Sequence, residues 1–381
     1  MHHQTDALKT SAVGRAPHFA ALDSLRGIAA LMVVFFHVEW VNPTEPLGIV
    51  RNGYLMVDLF FVLSGFVISY AYGRRLTSLA TVRRFMWLRF WRLYPVHFVF
   101  LIVYLLIECL KWVVFVRYGI TSTYRPFEHA TPGAFLANLF LVHALFSHAP
   151  NSFNTPSWSI SVEFYTYIVF AVVVLLWRRG IVLIAAVLAV ASFAVLASLG
   201  PDAVTHTNDY GMIRCLTGFF LGVLTYRAFE RLRDIGARQQ QMGWAAVALM
   251  AIFAVYLSVK TPGASDFAIY PLSALVILVV ALAGAKGPTA FLAAKPVAWL
   301  GTVSYSLYMA HAAVLWFVTQ VIKYATHPAE VVLPQHEMPV LAPSFWVGTA
   351  GIVAGMILTL IVAGLSYRFI EKPFRDWSRT P

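Results

Sequence analysis

The chain has 381 residues, 60% of them hydrophobic and 12% charged, with a net charge of +11 at pH 7 and a mean hydropathy of +0.72. Soluble domains carry about a quarter of their residues as charges, so this composition excludes one and points to a polytopic membrane protein. The basic excess sits in short clusters between apolar runs, which argues against a nucleic-acid face and for loops on one side of a bilayer.

In chain order, residues 1–20 read as a cytoplasmic tail without the charged, apolar and small-residue order of a secretory leader. Apolar runs then predict ten spans, at 25–42, 54–72, 93–116, 157–177, 180–199, 210–228, 243–259, 267–285, 300–322 and 346–368. The runs are continuous rather than alternating, which excludes a barrel. The expected fold class is therefore all-α, a polytopic helix bundle with a transmembrane domain over 21–376 and a tail at 377–381. The stretch "GAFLANLFLVHALFS", residues 133–147, is apolar but short, and predicts an interfacial or re-entrant helix. With both termini inside, 21 of the 28 Lys and Arg fall in cytoplasmic segments, as the positive-inside bias requires. Cys109 and Cys215 lie within apolar segments and read as small buried hydrophobes, with neither disulfide nor metal spacing.

Against this background the ionisable residues inside the spans stand out, because charge in hydrocarbon is costly and faces a partner or a cavity. Arg26 and His37 bracket the first apolar run, about 16 Å apart along a helix. Asp58, Glu163, Arg214 and His311 reach a similar depth in four other spans. Each alone could be a structural hydrogen bond or ion pair. Together they predict a hydrated central chamber. A second feature is the expected cytoplasmic loop "RRFMWLRFWRLYP", residues 83–95, where Arg89 and Arg92, three apart, would share one helical face among Trp87, Phe90, Trp91 and Tyr94. The pattern fits positive-inside topology with an aromatic belt; it equally fits a phosphate clamp, with guanidinium forks on phosphate oxygens and rings stacked on a base. These residues alone leave an enzyme and a proton-coupled carrier evenly placed.

The segments "LDSLRGIAALMVVFFH", "VDLFFVLSGFVIS", "RRFMWLRFWRLYP", "SWSISVEFYTY", "VSYSLYMAH" and "RFIEKPFR" occur in the order seen in the acyltransferase-3 family of integral-membrane O-acyltransferases. The chain resembles that family from about residue 20 to 376, in its stand-alone form without an extra extracytoplasmic domain. The resemblance implies transfer of an acyl group, often acetyl, from cytosolic acyl-CoA to a hydroxyl of a carbohydrate, glycolipid or related acceptor. It also implies roles for Arg26 and His37, for Arg89 and Arg92, and for Glu163.

The resulting expectation is specific. His37 acts as general base or acyl relay, since a sugar hydroxyl is a weak nucleophile without a positioned base. Glu163 or Asp58 orients the imidazole, as an acid does in a hydrolase triad. Arg26, Arg84, Arg89 and Arg92 bind the donor's phosphates, and His311, Arg214, Trp158 and Tyr305 face the acceptor. No metal is expected. Ser157, Ser159 and Ser161 lack the glycine-flanked elbow of a serine nucleophile, His97 reads as structural, and Glu371 in "EKPFR" is expected to pair with a basic loop. A proton-coupled transporter or a flippase-like component of glycan assembly is the alternative.

Overall fold

The computed structural model describes residues 19–121, 124–145, 152–205, 207, 209–234, 239–332 and 339–380; the expected N-terminal tail lies almost wholly outside them. The helices are α1 (Ala20–Phe36), α2 (Gly48–Arg51), α3 (Met56–Tyr72), α4 (Leu79–Tyr118), α5 (Pro132–Leu139), α6 (Trp158–Trp177), α7 (Ile181–Ser198), α8 (Gly211–Leu232), α9 (Gln239–Val259), α10 (Ile269–Ala283), α11 (Lys295–Thr326), α12 (Phe345–Ser366) and α13 (Lys372–Trp377). Eight helical stretches are long and apolar enough to cross a membrane. One of them, Thr155–Ser198, holds both α6 and α7. It reverses at 178–180, because Thr166 and Ser192, on opposite sides of that turn, reach the same level of α8: Thr166 Oγ1 lies 3.3 Å from Cys215 Sγ, and Thr217 Oγ1 donates to Ser192 Oγ at 2.9 Å. With α1, ten long helices occupy the ten expected spans. The protein is an all-α polytopic bundle.

Two elements depart from expectation. The basic segment 83–95 is not a loop but part of α4, a helix of 40 residues that runs through a buried Pro95. Such a helix makes a rod of about 60 Å, twice the ~30 Å of a hydrocarbon core. Ser78 caps it in a reciprocal box with Thr81, which fixes where the rod starts. A two-stranded hairpin, β1 (Ala329–Val331) with β2 (Val340–Ala342), follows α11. It receives the chain leaving α1: Val41 N donates to Leu341 O at 2.8 Å, and buried Trp40 donates from Nε1 to Gly348 O at 3.1 Å.

In lipid no hydrophobic effect pulls apolar helices together, so small residues that let backbones touch set the contacts. α1 meets α11 at Gly27 and Gly301, where a Cβ on either would strike the other helix's main chain. α3 meets α8 in the same way, at Gly65 against Phe219 O and Gly222 against Val62 O. These two close pairs form the centre of the bundle. α4 lies at its edge with much of its surface outward, and Cys109 is accordingly exposed rather than buried; Cys215, on α8, is buried. The arginine-rich termini of the helices define a basic end, opposite a far end that carries the hairpin and α5.

Candidate functional site

The α1–α11 contact brings His37 and His311 together, with ring centroids 4.8 Å apart at 62°. His37 Nδ1 lies 2.8 Å from the Val33 carbonyl, one turn back on its own helix. A carbonyl only accepts, so Nδ1 carries the proton and Nε2 keeps its lone pair. His311 repeats the arrangement, with Nδ1 2.6 Å from Tyr308 O. Its Nε2 is buried without a hydrogen-bond partner. Beside it the Tyr308 hydroxyl donates to Pro156 O at 2.9 Å and lies 2.8 Å from Ser159 Oγ.

Neither expected carboxylate stands behind the His37 imidazole; the Val33 carbonyl holds that position. Asp58 is buried and faces α8, where Arg214 donates to it from Nε at 3.2 Å and from its terminal nitrogen at 2.8 Å. Tyr270 adds a third bond at 2.9 Å, and the Arg214 guanidinium lies 4.8 Å from the Trp158 ring centroid. That group is internally satisfied. Glu163, on α6, accepts from Tyr167 one turn along the same helix at 2.5 Å, and the Tyr167 hydroxyl also lies 3.1 Å from Ser64 Oγ of α3. The sequence expectation of one chamber thus resolves into separate groups: the His37–His311 pair, the Asp58–Arg214 group, and a third at the basic end.

At the basic end the four arginines differ. Arg26 donates to Ser304 Oγ at 2.8 Å and Gly301 O at 3.1 Å, and pairs with Asp23 at 3.0 Å. Arg92 is ion-paired to Glu371, which is buried and also accepts from Ser306 at 2.7 Å. The pairing expected for Glu371 therefore exists, and its partner is Arg92. A π-helical turn over Tyr367–Glu371 precedes it; such turns are frequent at functional sites. Arg92 also lies over the Tyr305 ring, whose hydroxyl donates to Leu93 O at 2.5 Å. Arg89 donates to the Tyr72 hydroxyl at 3.4 Å and lies 5.4 Å from that ring's centroid, with no carboxylate partner among the described residues. Arg84 is exposed, 3.5 Å from Thr380 O. Two of the four rings expected to stack on a base contact α13: Trp91 lies on Phe374 at 5.6 Å and 7°, and Trp87, still exposed, meets Trp377 at 5.7 Å.

His97 joins α4 to α5, donating from Nε2 to Asn138 O at 2.9 Å and stacking on His143. Ser157 donates to Asn154 O at 2.7 Å and Ser161 to Leu141 O at 2.5 Å, so both hydroxyls brace turns. Sequence reasoning missed Tyr270, Tyr308, Ser304 and Ser306. The last three share a helix with Tyr305 and His311, and the polar spacing of "SYSLYMAH" was the signal: Ser304, Tyr305, Ser306, Tyr308 and His311 each meet a different part of the molecule.

A membrane bundle with a histidine pair where two helices meet and guanidinium groups at one end fits an integral-membrane group-transfer protein or a carrier alike. The comparisons decide the class. Residues 19–368 match the acyltransferase domain that defines the acyltransferase-3 family, and the chain belongs to that family. Among its relatives, the peptidoglycan O-acetyltransferase OatA of Listeria monocytogenes is 24% identical over 93% of this chain. The acyltransferase MdmB of Streptomyces mycarofaciens is 32% identical over 43% of this chain and 40% of its own length. The chain spans 55% of the Listeria protein's length. No solved structure matches.

Proposed function

We propose that the protein is an O-acyltransferase that moves an acyl group, acetyl foremost, from acyl-CoA to a hydroxyl of a carbohydrate or glycolipid, as the peptidoglycan O-acetyltransferase relative suggests. His37 is the base. The observation that carries this reading is its imidazole, whose Nδ1 is held by Val33 O so that Nε2 keeps its lone pair, with the His311 ring against it. A hydroxyl attacking a thioester carbonyl must lose its proton as the C–O bond forms, and a neutral imidazole at hydrogen-bonding distance takes it. The same proton then leaves with the thiolate as CoA thiol.

The basic end faces the cytoplasm, in line with the distribution of Lys and Arg, with both termini inside and the protein in the inner membrane. Arg89, with spare donors, is the primary contact for a donor phosphate, and exposed Arg84 adds charge beside it. Arg92 is committed to Glu371 and Arg26 to α11, so both shape the entrance rather than bind phosphate directly. Glu163, held by Tyr167 on α6, positions groups along the path.

The test is acetyl transfer by purified protein from labelled acetyl-CoA to a panel of peptidoglycan fragments and oligosaccharides. His37→Ala should lower turnover by about 10²-fold or more while acetyl-CoA binding persists. Turnover retained in that variant removes His37 from the chemistry. Movement of glycan across proteoliposomes without acyl-CoA would replace this reading with a carrier.

A further inference from the structure

We infer that a groove between α4, α11 and α12 holds one anionic glycerophospholipid of the basic-end leaflet, with an acyl chain in the groove and the phosphate on Arg368. The walls come from residues 99–107 of α4, 313–317 of α11, and 358–370 of α12 and the π-helical turn that follows it. They are almost wholly hydrocarbon and enclose about 560 Å³, the volume of a site for a whole small ligand. All three walls belong to stretches long and apolar enough to cross a membrane. Phe317, Leu365 and Phe369 keep exposed surface on the groove, so it opens sideways on lipid.

Length, a hydroxyl and a charge name the occupant. Residues 358–370 cover about 18 Å of helix, close to one leaflet's half of the ~30 Å hydrocarbon core. A helix from a second copy would need the full core. Towards the basic end the wall carries Ser366, which is buried and whose Oγ has no hydrogen-bond partner. A helical serine facing hydrocarbon ordinarily bonds the carbonyl one turn back, and a hydroxyl left unpaired there is costly. The ester carbonyl of a glycerolipid, which lies just beneath the headgroup, accepts its proton. Two residues on, the Arg368 guanidinium lies 5.5 Å from the centroid of the Phe369 ring, which lines the groove. Arg368 is exposed and has no carboxylate partner among the described residues. The carboxylates that follow it are taken, Glu371 by Arg92 and Asp376 by Lys372. Guanidinium forks suit phosphate, and basic sites between helices on the cytoplasmic side suit anionic headgroups. Chain, ester and phosphate thus succeed one another from the bilayer middle to the basic end, as in a phospholipid lying in its own leaflet. The bound chain would wedge the edge helix α4 against α11 and α12.

The experiment is native mass spectrometry of the full-length protein released from detergent, titrated with dioleoyl phosphatidylglycerol or dioleoyl phosphatidylcholine. One phosphatidylglycerol should be retained per chain, about fivefold more tightly than phosphatidylcholine, the contribution of one arginine at a membrane surface. Arg368→Gln should erase that preference and leave the phosphatidylcholine affinity as it was. Ser366→Ala should weaken the diester lipid about fivefold and leave its dialkyl ether analogue unchanged. Val103→Trp, filling the groove from α4, should abolish retention of both lipids; Leu365→Trp, at an exposed position on the facing wall, makes the same test should the first variant not fold. Equal retention of the two lipids, or a preference that survives Arg368→Gln, overturns the inference. So does undecaprenyl phosphate competing as well as phosphatidylglycerol, since it has a chain and a phosphate but no ester, and so does a protein dimer in place of the lipid adduct. The readout is mass alone, so it stands or falls apart from acyl transfer.

Discussion

Arg89 and Arg92 lie three residues apart on α4, and their neighbours give them different work. Arg92 neutralises buried Glu371; removing it strands a charge, which typically costs about 3–5 kcal/mol. Arg92→Ala should therefore lower the melting temperature in detergent, and Arg92→Met with Glu371→Leu should recover most of the loss. Arg89→Ala should leave stability nearly untouched and raise KM for acetyl-CoA about tenfold, an effect that shrinks as salt rises. Equal melting losses in the two single variants would refute this division. The Arg-x-x-Arg spacing was legible in the sequence because both residue types and the helical period are local. That Glu371 would pair with a basic segment was legible too, but not that Arg92 is the partner, since the two lie far apart along the chain. The Val33 carbonyl behind His37 was equally hidden: every residue has a carbonyl, so a main-chain partner has no residue signature.

At the scale of elements, the α1–α11 contact carries the histidine pair. A side chain at Gly27 would collide with the Leu300–Gly301 backbone, so Gly27→Val should force the helices apart and lose acyl transfer even though it lies far from either histidine. Cross-linking between cysteines placed on the two helices checks the separation; retained cross-linking and activity would contradict the packing. The apolar runs made the ten long helices readable, because lipid demands length and apolarity from each one independently of its neighbours. Helix α4 was misjudged at its start for the same reason, as a charged segment outside the bilayer may be loop or helix, and apolarity cannot distinguish them. The contact of Trp87 and Trp91 with α13 depends on tertiary packing and left no local trace.

For the whole molecule, the buried Asp58–Arg214 group ties α3, α8 and α10 together around Tyr270. Asp58→Asn should destabilise the protein by about 3–5 kcal/mol, visible as a lower melting temperature, while acetyl-CoA affinity stays unchanged. A selective loss of turnover without loss of stability would return Asp58 to the chemistry. Sequence alone placed Asp58 and Arg214 at one depth. Their closure on each other depends on the Gly65 and Gly222 approach, which only the folded bundle reveals.

The length of α4 has a consequence of its own. A rigid shaft of 40 residues cannot shorten, so when bilayer thickness changes it must tilt or slide to accommodate the mismatch. Arg89 rides on that shaft, while the histidines ride on the glycine-locked helices α1 and α11. In nanodiscs of increasing acyl-chain length, donor affinity should therefore drift while turnover at saturating donor holds still. Lipid thickness becomes a control on the entrance that leaves the chemistry alone.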